Sequence, residues 1–135
     1  MDLLDTMHIS AGGMRAQSER LKVVSQNIAN AESVGSTNGT QPYRRQTVSF
    51  KNELDKETGA TLVKLDRVRK DTSEFDKRYE PTNPMADQQG YVLYPNVNPV
   101  MEMMDMREAR RGYEANLNVI ESSKAMLSST IAVLR

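Results

Sequence analysis

Apolar and small side chains recur along residues 2–30 in alternating steps of three and four positions. This spacing follows one face of a helix and is typical of a seam between paired helices. Gly12 and Gly13 interrupt the pattern and mark either a kink or a close helix contact. We predict a first helix over residues 2–30, ending near Asn30. Its large apolar side chains, which we expect to take part in assembly, are Leu4, Met7, Met14, Leu21 and Ile28.

A longer apolar column runs through residues 99–134, where a large side chain recurs at every seventh position. We predict a second helix here, and Pro99 suits its first turn because that position needs no N–H donor. A second column holds Val119, Met126 and Val133. The main column and the two side chains that fill it, which we also expect to take part in assembly, are Met106, Tyr113, Leu117, Ile120, Leu127, Ile131 and Leu134.

The stretch between the two helices has a different character. Residues 31–42 are rich in Gly, Ser, Thr and Asn, a composition that ends a helix and forms a loop. Short extended segments with alternating apolar side chains follow at 43–50, 61–68 and 90–94. These segments contain few large apolar residues, so they predict a small and irregular β element.

The middle is too small to cover two helices of this length. We therefore predict a mainly α fold with a small β-rich middle, in which the terminal helices pair as an antiparallel, coiled-coil-like unit. Residues 1–30 and 99–135 would form the helical core domain, and residues 31–98 the loop and the β-rich segment. This arrangement leaves part of the apolar helix surface for neighbouring subunits.

Composition agrees with a chain that completes its burial against partners. Hydrophobic residues make up 38% of the sequence and aromatic residues only 5%, which is low for a chain that buries a large core alone. Eighteen basic and eighteen acidic residues cancel, so no basic face for nucleic acid is expected. A small net charge also gives little protection against self-association.

The sequence offers no arrangement of residues for catalysis or for a cofactor. His8 is the only histidine and there is no cysteine, which excludes a typical zinc site or thiol chemistry. Arg44 and Arg45 begin a basic cluster, but acidic residues interrupt it. Glu102 and Asp105 lie among cations and are expected on a solvated charged face. We predict no enzyme activity, no cofactor, no metal site and no small-molecule substrate.

Three strings of the sequence resemble the flagellar basal-body rod proteins. They are SQNIANAES at 25–33, PYRRQTVSF at 42–50, and GYVLYPNVNPV at 90–100 with the segments EMMDM and RRGYEAN after it. The likeness is closest to the short, proximal-rod members, although many members have Thr where this chain has Ser33. The motif residues are Asn27, Ala29, Asn30, Pro95, Asn96, Val97, Asn98 and Pro99.

The resemblance implies a structural subunit that assembles through its terminal helices into a tubular shaft, which transmits torque from motor to hook. The implied partners are other flagellar rod proteins, copies of the chain itself and the flagellar type III export apparatus. The implied location is the periplasmic rod of the basal body. The first ten residues show no pattern of a cleavable secretory signal, and no apolar run approaches the ~20 residues of a membrane span. We expect no membrane insertion.

Two alternatives remain open at this point. Another type III-exported axial or adaptor protein would also have amphipathic ends, and a small enzyme or binding domain would need a site that the sequence does not display. Within the motif, we expect Asn27 and Asn30 to end the first helix by bonding to turn backbone. Asn96 and Asn98 are expected to fix the entry to the second helix.

Overall fold

Two long helices flank two short β-ribbons. The computed structural model describes residues 3–35 and 39–134. In chain order the elements are α1 (Leu3–Ala29), β1 (Gln46–Leu54), β2 (Thr61–Lys70), β3 (Asp76–Tyr79), β4 (Tyr91–Tyr94) and α2 (Pro99–Val133). The mainly α fold with a small β-rich middle is confirmed. Residues 1, 2 and 135 of the predicted helical unit and residues 36–38 of the predicted loop lie outside the described residues.

The two helices pack side by side and run antiparallel. Gln17 of α1 lies against Gly112 of α2, and Asn27 bonds to Glu102, so the numbers rise along one helix as they fall along the other. Arg20 forms an ion pair with Asp105 within this interface. The antiparallel pairing of the terminal helices, predicted from their apolar patterns, is therefore confirmed.

Glycine and polar side chains form the described contacts between the helices. Gly13 faces Asn116, Gln17 faces Gly112, and Arg20 pairs with Asp105. The buried residues of α1 are Ser10, Ala16, Val23, Val24 and Asn27, and those of α2 are Glu102, Ala109 and Ser123. Residues without a large side chain let two helix backbones approach closely. The predicted apolar stripe of α1 is turned away from this seam, and its Leu4 is 55% exposed.

The second predicted column of α2 also faces away from α1. Val119, Met126 and Val133 are all exposed. On the main column, Met106, Tyr113 and Ile120 are half-buried beside α1. Periodicity thus identified the helices correctly, but it placed the large apolar side chains in a seam that small and polar ones occupy.

The β-rich middle consists of two antiparallel ribbons. In the first, Gln46 pairs with Lys70 and Leu54 with Thr61, with an irregularity between Ser49 and Phe50. This ribbon lies on α1, where Gly12 faces the Leu62 side chain. In the second ribbon Asp76 pairs with Tyr94 and Tyr79 with Tyr91, and Val92 between them is fully buried. Strand β3 was not predicted. Over the described residues, neither helix is long and apolar enough to cross a membrane.

Candidate functional site

The first motif asparagine lies at the centre of a buried cluster that joins both helices to β1. Asn27 is 1% exposed. Its Nδ2 donates to the backbone oxygen of Gln46 at 2.8 Å and to Oε2 of Glu102 at 3.1 Å. Its Oδ1 accepts from the Gln46 backbone N–H and from the Tyr43 hydroxyl, each at 2.9 Å. Every donor and acceptor of the Asn27 carboxamide therefore has a partner.

The carboxylate of Glu102 is buried and paired with Arg45. Glu102 is 1% exposed, and Arg45 Nε donates to its Oε1 at 2.5 Å. Arg45 Nη1 also lies 3.5 Å from Oδ2 of Asp71. Burial lowers the pKa of Arg45, but the hydrogen bond and charge of Glu102, followed by those of Asp71, outweigh it and raise that pKa above its usual value. The prediction that Glu102 belongs to a solvated charged face was wrong.

The Tyr43 hydroxyl keeps the proton that it donates to Asn27. Burial, followed by the negative charge on Glu102, raises the pKa of Tyr43 above the usual value of 10.0. Both causes disfavour the phenolate. The hydrogen bond to the Asn27 oxygen is consequently maintained across the neutral pH range.

Asn96 of the second motif connects this hydrogen-bonded cluster to the segment after β2. Asn96 Oδ1 accepts from the Arg45 backbone N–H at 2.8 Å, and its Nδ2 donates to Ser73 Oγ at 2.8 Å. Arg44 Nη1 donates to the backbone oxygens of Asp71 and Ser73 at 2.9 and 3.0 Å. We call the set Asn27, Tyr43, Arg45, Asp71, Asn96 and Glu102 the polar junction. It connects α1, β1, the end of β2 and the start of α2.

Asn98 caps α2 as expected. Its side-chain oxygen accepts from the backbone N–H groups of Val100 and Met101 at 3.1 and 3.3 Å, and its φ of −101° is extended. Pro99 takes the first helical position, where its missing N–H costs nothing. The predicted role at the entry to the second helix is confirmed for Asn98, whereas the side chain of Asn96 bonds to Arg45 and Ser73 and not to α2.

The two asparagines of the first motif have different roles. Asn30 donates to the Gln26 backbone oxygen at 2.9 Å and accepts from Ser33, which ends α1 as expected. Asn27 lies inside the helix and bonds to β1 and α2 instead of to a turn. The expectation for Asn27 was therefore wrong, because helix periodicity gives no information on partners so distant in sequence.

The large apolar side chains of α1 lie on a different face from the residues that contact α2 and from those that contact the first ribbon. Each residue of a helix is rotated by about 100° from the one before. Gly13 and Arg20 mark the side that meets α2, while Gly12 marks the side that meets β2. The remaining side, which we call the outer face of α1, carries Leu4, Met7, Met14, Leu21 and Ile28. Leu4 is exposed, and the others are half-buried.

The last two turns of α2 extend past the described start of α1. Because Gln17 faces Gly112 and Asn27 faces Glu102, Leu3 lies level with about residue 126. We call residues 127–134 the C-terminal overhang. Its apolar side chains Leu127, Ile131, Val133 and Leu134 are all exposed, the last by 82%. Leu117 is exposed as well.

A cavity of about 500 Å³ lies between α1 and β2, and its lining includes His8, Arg15, Glu19 and Leu62. Within residues 3–35 and 39–134, no group of His, Cys, Asp or Glu side chains is arranged to hold a metal ion. The Asn27 carboxamide and the Glu102 carboxylate bond to each other, to Arg45 and to the Gln46 backbone.

Comparison with known proteins decides the family. The chain is 49% identical over 127 residues to the flagellar basal-body rod protein FlgC of Agrobacterium fabrum, covering 94% of this chain and 91% of the relative. It is 38% identical over 133 residues to the FlgC protein of Salmonella typhimurium, covering 98% of each. The chain belongs to the FlgC family of flagellar basal-body rod proteins. The FlgC protein of Borreliella burgdorferi is 37% identical over all of this chain and 99% of its own.

Two family patterns match the ends of this FlgC-family chain. The pattern described as "Flagella basal body rod protein" matches residues 7–35, and that described as "Flagellar basal body rod FlgEFG protein C-terminal" matches residues 88–133. The first covers most of α1 with Asn27 and Asn30. The second covers β4, Asn96, Asn98 and α2. The polar junction of the FlgC fold thus joins the two family-defining stretches.

Sequence reasoning missed four of the six residues of this junction. Tyr43, Arg45, Asp71 and Glu102 were not predicted as site residues. One signal was present in the sequence. Glu102 begins a column of residues at a spacing of seven, which continues through Ala109, Asn116 and Ser123. A charged residue in a column of small residues indicates a buried and paired charge.

Proposed function

We propose that this FlgC-family chain is a structural subunit of the proximal rod of the bacterial flagellar basal body. It assembles through its terminal helices into the tubular shaft that transmits torque from motor to hook. The observation that carries the proposal is that the side chains in contact between the helices differ in kind from those that remain exposed on them. Glycine and polar side chains contact each other between α1 and α2, and large apolar side chains remain exposed at Leu4 and along the overhang.

Uncovered apolar helix faces are costly in water and are covered on assembly. We propose that the assembly residues are Leu4, Met7, Met14, Leu21 and Ile28 of α1 together with Met106, Tyr113, Leu117, Ile120, Leu127, Ile131 and Leu134 of α2. Repeated contacts between two different faces of successive copies build an open helical array. This geometry suits a shaft.

We propose further that the helix pair is coiled-coil-like. The seven-residue column from Glu102 to Ser123 faces α1, and Met106, Tyr113 and Ile120 flank it at the same spacing. Residues 1–30 and 99–135 then form one helical core domain, and residues 31–98 form the loop and β-rich segment. The junction between them is polar, which fits two units of one subunit held in a fixed orientation.

The partners that follow are other flagellar rod proteins, further copies of this chain and the flagellar type III export apparatus. The location we propose is the periplasmic rod. The relatives are named as rod proteins, and the function proposed is structural, without catalysis, nucleic-acid binding or membrane insertion.

Replacing Leu127 by Asp tests the assembly role of the overhang. Leu127 is already 39% exposed in the single chain, so the free energy of unfolding should change by less than about 1 kcal/mol. A neighbouring subunit that covers this position would bury an unpaired charge, which is far more costly. We expect cells with Leu127→Asp to secrete the protein and to lose swimming motility.

The matched control is Ala125→Asp, which adds the same charge two residues earlier, on the polar face that carries Asn118 and Glu121 and outside the overhang. These cells should swim. Normal swimming by Leu127→Asp would contradict the proposal, as would equal loss of motility in both variants.

A further inference from the structure

The helix pair is built on a repeat that allows more than one alignment. Asn27 faces Glu102, and Gly13 faces Asn116. These two layers of contacts are two heptads apart on each helix. A shift of α2 by one heptad would place Gly13 against Ser123, which is also small. Seven-residue patterns by themselves do not distinguish such registers.

The apolar side chains do not by themselves select the observed register. In the shifted register, Leu3 would lie level with about residue 133 of α2, so α1 would run beside nearly the whole overhang. Leu127, exposed in the observed register, would come beside α1, while Met106, now half-buried, would pass beyond the end of α1. Hydrophobic burial alone therefore does not explain why the overhang is left uncovered.

The polar junction opposes this shift. In the shifted register Glu102 would pass beyond the end of α1 at Ala29, and Asn27 would face Ala109. Asn27 would then lose its bond to Glu102, and the 2.5 Å bond between Glu102 and Arg45 would break unless β1 moved by about 10 Å. Removing one partner from a buried charge pair is among the most costly changes in a protein interior.

We infer that Asn27, Arg45 and Glu102 form a register lock, which holds α2 in the alignment that leaves the C-terminal overhang uncovered. The buried ion pair fixes the alignment of the two helices, just as a single buried polar residue does in other paired helices. The ion pair of Arg20 with Asp105, two turns away, favours the same register. The use of the overhang by a neighbouring subunit rests on the proposed function, whereas the lock does not.

Disulfide trapping in the full-length chain reports the register, because the natural sequence has no cysteine. Thr6 lies one heptad before Gly13, opposite Ser123 in the observed register and opposite Thr130 in the shifted one. Thr6→Cys with Ser123→Cys therefore traps the first register, and Thr6→Cys with Thr130→Cys traps the second. In the otherwise natural protein, we expect the first pair to crosslink at least about tenfold more than the second.

Removing the lock should weaken this preference. In the Asn27→Leu, Glu102→Leu background, apolar side chains replace the buried polar pair, and the ratio of Thr6–Thr130 to Thr6–Ser123 crosslinks should rise by at least about tenfold. Glu114→Leu is the matched control, since it removes an exposed acid of α2 that does not touch the lock, and its crosslinks should match those of the natural chain. An unchanged crosslink ratio in a helical lock variant would overturn the inference.

A milder variant decides the matter if the double replacement unfolds, as judged by circular dichroism. Glu102→Gln keeps an oxygen for Asn27 but removes the charge that Arg45 binds. We expect the ratio of Thr6–Thr130 to Thr6–Ser123 crosslinks to rise by about tenfold in this variant. An unchanged ratio, or equal yields of both crosslinks in the natural chain, would overturn the lock. Motility of cells is measured separately and bears on the proposed function only.

Discussion

Asn27 shows how one side chain can specify a junction between three elements. It offers two donors to Gln46 and Glu102 and two lone pairs to Gln46 and Tyr43. Aspartate would lack the donors and place a second carboxylate beside Glu102, and leucine would satisfy none of the four groups. The carboxamide at this position is therefore matched to its surroundings atom by atom.

Replacing Asn27 by Ala should lower the free energy of unfolding by about 2–4 kcal/mol, because the change leaves several buried polar groups without partners. Asn30→Ala, at the exposed end of the same helix, should cost less than about 1 kcal/mol. Urea unfolding of both variants measures the difference. Equal effects would show that the hydrogen bonds of Asn27 are not special.

Asp71 makes stability dependent on acid pH. Its oxygen accepts from the Ser73 backbone N–H, and this bond, followed by the Ser73 side chain and by Arg45, lowers the pKa of Asp71 below 3.8. Because the folded state binds this proton less readily than the unfolded state, the stabilisation is complete above the unfolded pKa. It is lost as pH falls through the folded pKa.

The difference in unfolding free energy between the natural chain and Asp71→Asn should consequently be constant above about pH 5 and shrink below about pH 4. Chemical denaturation at a series of pH values measures it. Asp66→Asn, on the exposed part of β2, provides the comparison. A difference that grows as the pH falls would contradict the assigned direction.

At the scale of elements, neighbouring glycines of α1 have opposite surroundings. A Cβ added to Gly12 would meet Leu62 at an ordinary 3.7 Å, whereas one added to Gly13 would come within 2.9 Å of the Asn116 carboxamide. Asn116 is itself held by a hydrogen bond from its Nδ2 to the Gly112 backbone oxygen at 2.8 Å. A side chain at position 13 would therefore clash with Asn116 of α2.

Gly12→Ala should therefore stabilise the protein by up to about 1 kcal/mol through helix propensity, while Gly13→Ala should destabilise it despite the same gain. Thermal unfolding followed by circular dichroism compares the two. Adding Asn116→Ala to Gly13→Ala should recover part of the loss, since it removes the clashing atoms. A stabilising Gly13→Ala would show that the helices can separate without cost.

Sequence patterns predicted both helices because seven-residue columns extend over most of their lengths. They failed on β3, whose residues Asp76–Tyr79 are charged or exposed and have no apolar alternation. They also failed on the seam, because periodicity detects large apolar residues and this seam contains alanine, glycine and serine. The family resemblance identified Asn27 and Asn96. Glu102 contacts residues 75 and 57 positions away, Asn27 and Arg45, and a local sequence pattern gives no information on contacts so distant in sequence.

At the scale of the whole molecule, the two ends of α2 differ in their support. Its first turns are bound by the polar junction, its middle packs on α1, and its overhang has no described helix beside it. Amide exchange follows such differences, since hydrogen bonds at unpacked helix ends open easily. The helix should therefore not behave as one rigid rod in the isolated chain.

Hydrogen exchange measured by mass spectrometry should show strong protection over 102–123 and rapid exchange over 127–134 in the isolated chain. In purified basal bodies, where neighbours would cover the overhang, both stretches should be protected. The β-turn at residues 55–60, exposed in the single chain, serves as an internal reference. Strong protection of 127–134 in a dilute monomer would contradict the uncovered overhang.

The unequal lengths of the two helices determine how far a neighbouring copy is displaced along the helix axis if it covers the overhang. α1 has 27 residues and α2 has 35, and the excess of α2 corresponds to about 12 Å along the helix axis. A neighbouring copy that caps this excess with its own α1 must be displaced along the axis by a similar distance. Copies joined in this way would be displaced along the axis and would form a helical array instead of a closed ring.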